Sequence, residues 1–456
     1  MAKFIEFGPE PDDVTVGGVR NSITTADDVA AMVEFVNSGR ARNFTASPGV
    51  IVDGGGDPNS LHVVMSEGGG GVSARDVIDL HVGFGARGAG DEPTLVNAIA
   101  DYLKYGTPTV PATLAHRLLK PTILVLRHMA RMPEGVVFFA NDSAVAVDAA
   151  IRIALNHRTR CDGLELDGCD AKWREYQVVY AAGGYHGSGG FERSFFTSAK
   201  GRVGFGPLHE NVRSVPFGDI GALRERFESG EKIAAVILEP VQGGGGCVAP
   251  PAGYLAAVGA LCKRHGTVYI VDETKSGFGR LGEHFYSPTV GANPDLICGG
   301  KSAAAGLFAA AFVIGKPEIM RGFESGVWGV TWCGYPLQCM AILRFAALLE
   351  DGLLEEVRRK AHYLETEIEA LRLKHREHIV KFDGLGLMRS LETVFPASAV
   401  ARALMVRGVY TTPIVHPDIA DEVPRRVYIA PALTITDSQI DKMVRALDES
   451  LSELAG

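Results

Sequence analysis

Between residues 135 and 298 the chain carries five short, almost wholly apolar runs, at 135–140, 177–181, 233–238, 268–272 and 295–298. Each is too short for a helix and lacks the polar–apolar alternation of a half-exposed strand. A strand that is apolar on both faces must be covered on both, and the intervening amphipathic stretches, such as 143 to about 155, supply the covering helices. Strand alternating with helix over about residues 110–320 predicts an α/β fold with a mostly parallel sheet. In such sheets ligands gather outside the carboxyl ends of the strands.

Glycine punctuates this pattern: many of its 55 occurrences fall at the ends of the β-branched runs, where the chain turns sharply from strand to helix. The first hundred residues are less regular, with loops expected at 54–58 and 68–71 and a helix near 94–104. Helical periodicity at 337–350 and 353–374, a strand-rich stretch and a last helix at 437–454 predict a separate α+β lobe. The expected organisation is an N-terminal segment (1–105), a large domain (106–340) and a small α+β domain (341–456).

Composition excludes several function classes. Lys and Arg number 45 against 54 Asp and Glu, a net charge of −9, which leaves no basic excess to neutralise a nucleic-acid backbone. The start, MAKFIEFGPEPDD, lacks a basic stretch followed by an apolar core, and the longest weakly polar run, 302–315, is too short for a bilayer, so a soluble protein without a membrane partner is expected. Seven scattered cysteines with no C-x-x-C pair suggest neither a disulfide framework nor a metal site, and fit a reducing cytoplasm.

Four segments carry chemistry. Residues 268–280 read V-Y-I-V-D-E-T-K-S-G-F-G-R, a strand that ends on the carboxylate of Asp272 and passes at once into a glycine-rich turn. A buried carboxylate there can hold a proton on the ring nitrogen of pyridoxal phosphate, a cofactor that withdraws electrons only while that nitrogen stays protonated. Residues 294–302, P-D-L-I-C-G-G-K-S, present Lys301 just past another apolar strand, beside Ile297 and Cys298. An amine in such surroundings can form an imine readily and then serve as a base. Residues 136–154 form a strand, a turn and a helix whose first amides, at Ser143 and Ala144, can receive a phosphate together with the Ser143 hydroxyl. In G-G-Y-H-G-S, 183–188, an aromatic ring at a strand end can stack on a flat heterocycle. Each has a plain structural reading when taken alone; their order and spacing give them weight together.

That order resembles the class III aminotransferases, the fold-type I family of pyridoxal-phosphate enzymes that includes ornithine, GABA and glutamate-1-semialdehyde enzymes. The resemblance runs from about residue 80 to 440 through Y-H-G, I-L-E-P-V-Q-G-G-G-G (237–246), D-E-T-K-S-G-F-G-R-L-G, the G-K of Gly300 and Lys301, T-W-C-G-Y-P-L (331–337) and I-A-P-A-L-T-I-T (429–436). It implies that Lys301 is the Schiff-base lysine, Asp272 the partner of the ring nitrogen, Tyr185 the stacking ring, and Ser143 with the Ala144 amide part of the phosphate cup. It also implies that His186, Thr274 and Lys275 line the cofactor, that Glu239 faces the substrate, and that Thr331 contacts phosphate in the neighbouring subunit of a homodimer.

Several positions depart from the family pattern. The phosphate turn, commonly N-S-G-S/T-E-A, is here Asn141, Asp142, Ser143, Ala144, Val145 and Ala146, which puts an acid beside a would-be dianion unless Asp142 caps the helix. Thr274 replaces an apolar residue under the ring, and Lys275 a glutamine near the phenolic oxygen. Tyr428 stands where glutamate-using members have an arginine for the α-carboxylate; if either nearby arginine substitutes, Arg426 shares a strand face with Tyr428 and Arg425 does not. The stretch 160–173 reads as an insertion. The leading expectation is amino-group transfer between a primary amine or amino acid and a carbonyl compound, in specialised biosynthesis. Elimination or replacement, carbon–carbon bond formation and an aminomutase reaction are alternatives on the same cofactor, and a non-catalytic binding protein is one outside it.

Overall fold

A computed structural model of the chain describes residues 5–7, 14–16, 19–20, 25–39, 50–55, 59–66, 71–90, 92–111, 113–163, 173–321, 329–418 and 423–456. Residues 68–70 of the loop expected at 68–71 and most of the 160–173 insertion therefore lie outside the described residues. Of the loop expected at 54–58, Gly54 and Gly55 instead end a strand.

The chain divides into two compact units, Met1–Ile78 and Asp79–Gly456. In the first, helix Ala26–Gly39 lies on antiparallel strands Val50–Gly55 and Ser60–Ser66, the latter also pairing with Val72–Asp79.

The second unit is built on a seven-stranded sheet. Its strands are β1 (Val136–Ala140), β2 (Tyr176–Ala181), β3 (Val212–Val215), β4 (Lys232–Leu238), β5 (Val268–Asp272), β6 (Leu296–Gly299) and β7 (Ala311–Gly315). They lie in the order β1-β7-β6-β5-β4-β2-β3. From β3 to β6 every neighbour is parallel, and β7 alone runs against both β6 and β1. Strand β7 was not expected: its A-F-V-I-G follows an alanine-rich run that masks the strand signal in sequence.

The apolar runs form strands because both faces are covered. On one face, Ala146, Ala149, Ala150, Ile153 and Ala154 of helix α1 (Ser143–Cys161) pack on Tyr176, Ile237, Ile270 and Leu296. Alanines let the helix approach the sheet closely. On the other, Leu255, Val258, Leu261 and Cys262 of helix α2 (Tyr254–His265) cover Val179, Val236, Tyr269 and Val271. All five residues of β5 are buried, and each large aliphatic among them contributes about 1.5–3 kcal/mol relative to exposure. Asp272 is carried into the interior by its apolar neighbours.

Beyond the sheet, helices Pro336–Leu348 and Leu354–Lys374 are separated by a break in which Gly352 adopts φ 104°. They lead to an antiparallel sheet with Met388–Thr393 between Ile379–Leu385 and Arg426–Ile429. The last helix, Asp437–Ala455, starts on a reciprocal cap between Thr436 and Gln439. No helix among the described residues is long and apolar enough to cross a membrane.

Candidate active site

Sheet register places the chemistry at one edge. Asp272, the last residue of β5, lies opposite Cys298 of β6, and Lys301 follows three residues later. Strand β1 ends at Ala140, just before Asn141, Asp142 and Ser143; β4 ends at Leu238, just before Glu239; β2 ends four residues before Tyr185. Lys301 is partly buried, with φ 45° in the left-handed region. A non-glycine residue held there costs of order 1 kcal/mol, the kind of strain that persists where the surrounding fold imposes it. Together with Asn141, Asp142, Ser143 and the stretch 306–310, it borders a cavity of about 370 Å³.

Asp272 is fixed from two sides. Its Oδ2 lies 2.9 Å from His186 Nδ1, both side chains being buried, and its Oδ1 accepts the Thr274 amide at 3.1 Å. Burial by itself pushes this carboxyl up, but His186, Lys301 and Thr274 together hold it below the usual carboxylate range. It is an ionised acid in an apolar interior. The Y-H-G motif pointed to His186 without its role; a partner 86 residues away has no local signature.

The start of α1 differs from a plain phosphate cup. Asp142 Oδ1 accepts the Ala144 amide at 2.8 Å, so the acid caps the helix and already occupies one of the two amides expected to receive phosphate. The Ser143 hydroxyl lies against Gly300, where any Cβ would collide with it. Asn141 Oδ1 is buried without a hydrogen-bond partner among the described residues. An amide flip would turn its NH2 toward an anion in the adjoining cavity. The residues present thus fit a phosphate-bearing ring compound: a hydroxyl, a helix start and an unpaired amide border the same cavity as Lys301, and a buried carboxylate stands at the end of the neighbouring strand.

Glu239 is buried with both oxygens engaged, Oε1 by the Tyr185 amide at 2.9 Å and Oε2 by the Gly243 amide at 3.0 Å. Burial raises its carboxyl above the ordinary range. Tyr185 is 39% exposed, and its ring meets Phe196 edge-on at 6.3 Å. Tyr428 is buried and its hydroxyl donates to the Gly243 carbonyl at 3.2 Å. The Lys275 ammonium lies over the Tyr428 ring, 4.2 Å from its centroid. Arg426, the expected stand-in for the missing arginine, is engaged by Glu392, its cross-strand partner, at 2.8 and 2.7 Å. Arg425 donates to the Val394 carbonyl. Thr331 is exposed, next to Trp332, which is 52% exposed.

Two members of the 268–280 motif turn out to build the scaffold. Glu273 is fully buried and accepts from the Ser276 hydroxyl, the Tyr286 amide, and the amide and hydroxyl of Ser287. Arg280, also fully buried, donates to the carbonyls of Leu387, Pro431 and Arg87. Glu273 closes the turn that carries Thr274 and Lys275 onto residues 286–287, and Arg280 ties it to the segments at Arg87, Leu387 and Pro431.

Known proteins share this architecture. The acetylornithine aminotransferase of Rhodobacter capsulatus is 29% identical over 367 residues, covering 77% of this chain and 88% of its own length. The ornithine aminotransferase of Exiguobacterium sp. is 30% identical over 69% of this chain and 74% of its own, and the putrescine aminotransferase of Pectobacterium atrosepticum 28% over 70% and 66%. Among solved structures, the ornithine aminotransferase of Toxoplasma gondii, with partial occupancy of PLP at its active site, superposes with a TM-score of 0.81 at 21% identity over 94% of this chain and 95% of that one. A transaminase from the marine bacterium Virgibacillus gives 0.81 at 21% identity over 93% and 100%. The family model Aminotransferase class-III matches residues 60–451. The chain belongs to the class III aminotransferases, pyridoxal-phosphate-dependent transferases of fold type I.

Proposed function

We propose that this protein moves an amino group from an aliphatic primary amine or amino acid to a carbonyl acceptor, with Lys301 as the lysine that carries the cofactor. The observation that carries this assignment of roles is the meeting of Lys301 with the Asp272–His186 pair at the carboxyl edge of the sheet. Relatives named for ornithine, acetylornithine and putrescine support a donor with a primary amine on an aliphatic chain.

When bound, pyridoxal phosphate supplies an electron sink for the carbon that bears the amino group. Asp272, held ionised, keeps a proton on the ring nitrogen, and His186 keeps Asp272 in place. Tyr185 offers an open ring face for stacking. The Ser143 hydroxyl and its amide are the phosphate donors at the helix start, since Asp142 engages the Ala144 amide. The Lys301 amine takes the proton from the amine-bearing substrate carbon and later returns one. Thr331 and Trp332, exposed in the single chain, belong in this reading to the interface of a homodimer whose partner's phosphate Thr331 approaches. The working location is the cytoplasm, in a specialised biosynthetic route.

The test is chemical. Purified protein loaded with pyridoxal phosphate and reduced with borohydride should carry the cofactor on Lys301 by peptide mass spectrometry. Lys275 is a second buried amine in the same region, so a label found there would overturn the assignment.

A further inference from the structure

We propose that Glu192 is a positioning residue for the cofactor: a neutral carboxyl buried against the first turn of α1, whose proton must be kept for that helix start to hold the phosphate. The inference rests on the reading of Ser143 as a phosphate donor, and is independent of which amine or carbonyl compound reacts.

Glu192 lies in the short 3₁₀ helix Gly190–Phe195 and is only 2% exposed. Its neighbours Phe191 and Phe195 join the apolar cluster that includes Ala146, Val147 and Ala150 of α1. A Cβ on Gly187, where φ is 129°, would stand 2.9 Å from Ala144 Cβ and 3.1 Å from Glu192 Cγ. The acid is thus seated against the residue whose amide Asp142 caps. Its Oε2 is buried without a hydrogen-bond partner among the described residues, and so is Oδ1 of Asp148, one turn further along α1. Both oxygens face one spot: a Cβ on Gly190 would lie 3.3 Å from the first and 3.7 Å from the second. An unpaired buried carboxylate is costly, and a proton on Glu192 removes its charge and gives that space a donor facing Asp148.

The surrounding groups leave no cation for a second anion. Arg152 gives its Nε to Asp148 Oδ2 at 2.8 Å, and Arg193, next in the chain, donates to the carbonyls of Ser188 and Gly201. His209 stacks on Phe191 at 4.0 Å; burial and Arg152 hold its imidazole below the usual range against the pull of Asp148, so it brings no charge at neutral pH. The Cys298 thiol of β6 is held well above its usual range by burial, Asp272 and Glu192. Burial pushes the Glu192 carboxyl up to about 8, with Asp148 and Asp142 adding to the rise and its own amide and Arg152 opposing it. A phosphate monoester carries close to two negative charges at neutral pH. A further charge beside Ala144 repels it through an interior that screens poorly. Up to about pH 8 the acid is neutral with or without phosphate, and affinity does not depend on it. Above that the free site has lost the proton, binding has to return it, and affinity falls as pH rises.

The experiment titrates the full chain, freed of cofactor, with 4-deoxypyridoxine 5′-phosphate, which lacks the aldehyde and so cannot bond to Lys301. Wild type, Glu192→Gln, Asp148→Asn and Ser143→Ala are compared from pH 6.5 to 9.5. Between pH 7.5 and 9 the wild-type affinity should fall about 5-fold to 10-fold further than that of E192Q, whose amide keeps the shape of the neutral acid. D148N removes a neighbour that favours the neutral acid, so its fall should begin at lower pH. Calorimetry at pH 8.5 in buffers of different ionisation heat should show wild type taking up about 0.7 proton more than E192Q on binding. A merely structural role would weaken E192Q equally at every pH, and that result overturns the proposal, as does an alkaline fall shared by wild type and E192Q or one left in place by D148N. S143A should bind more weakly at every pH; if its affinity is unchanged, the phosphate does not lie at the helix start and both readings fall. Binding as expected without turnover of any amine would sink amino transfer alone.

Discussion

Replacing Lys275 by Met should stabilise the cofactor-free protein near neutral pH, although it removes a charged side chain from a well-packed interior. Burial pushes the Lys275 amine down from 10.5 to about 8, with Lys301 and Arg280 lowering it further and Cys247 and Glu239 opposing. His81 also faces this amine, and burial and the lysine together bring the imidazole down to about 4, so it adds no positive charge at neutral pH. A lysine whose folded value lies that far below its unfolded one costs the fold about 3 kcal/mol while charged in both states. Below about pH 8 the full penalty is present. Between 8 and 10.5 the unfolded chain binds the proton that the folded one has lost, so stability rises with pH and the penalty fades. Methionine has nearly the same length and no charge, but it forfeits the cation–π contact, worth about 1–2 kcal/mol in a desolvated site. The net gain at pH 7 is therefore about 1–2 kcal/mol. For a chain of 456 residues this means a rise in Tm of about 1–2 °C. Differential scanning fluorimetry of both proteins from pH 6.5 to 9.5 should show the advantage falling by about half of the underlying penalty at the alkaline end. A variant less stable than wild type by the same amount at every pH would refute the reasoning, because the charge would then carry no burial cost.

Two further outcomes follow from the site. Asp272→Asn should fold with unchanged far-UV circular dichroism yet lose about 10²-fold to 10³-fold in kcat, because an amide cannot hold the ring-nitrogen proton by charge; turnover near wild type would assign that proton to another group. Gly300→Ala should destabilise the protein by about 1–3 kcal/mol and weaken cofactor retention, since the new methyl strikes the Ser143 hydroxyl. Ser143→Ala in the same chain should recover part of the stability, measured by chemical denaturation, and no recovery would place the clash elsewhere.

The apolar runs, the helices between them and the order of the motifs were legible in the sequence because each depends on a few adjacent residues. A continuous apolar stretch such as Val268–Asp272 has to be a covered strand, and a carboxylate at its end has to sit at the sheet edge. Lys301 and Asp272 could thus be paired before any coordinates, as could the helices at Leu354–Lys374 and Asp437–Ala455. Strand β7 escaped because five residues after an alanine-rich run give too little periodicity to count. What the tertiary structure alone decided is which polar atoms pair. Asp142 takes the Ala144 amide, Glu392 takes Arg426, His186 orients Asp272, and the Lys275 ammonium is brought over the ring of Tyr428, 153 positions away in the chain. Sequence names the groups that can pair, but pairing is settled by distances of about 3 Å between segments remote in the chain, and only the packed fold fixes those.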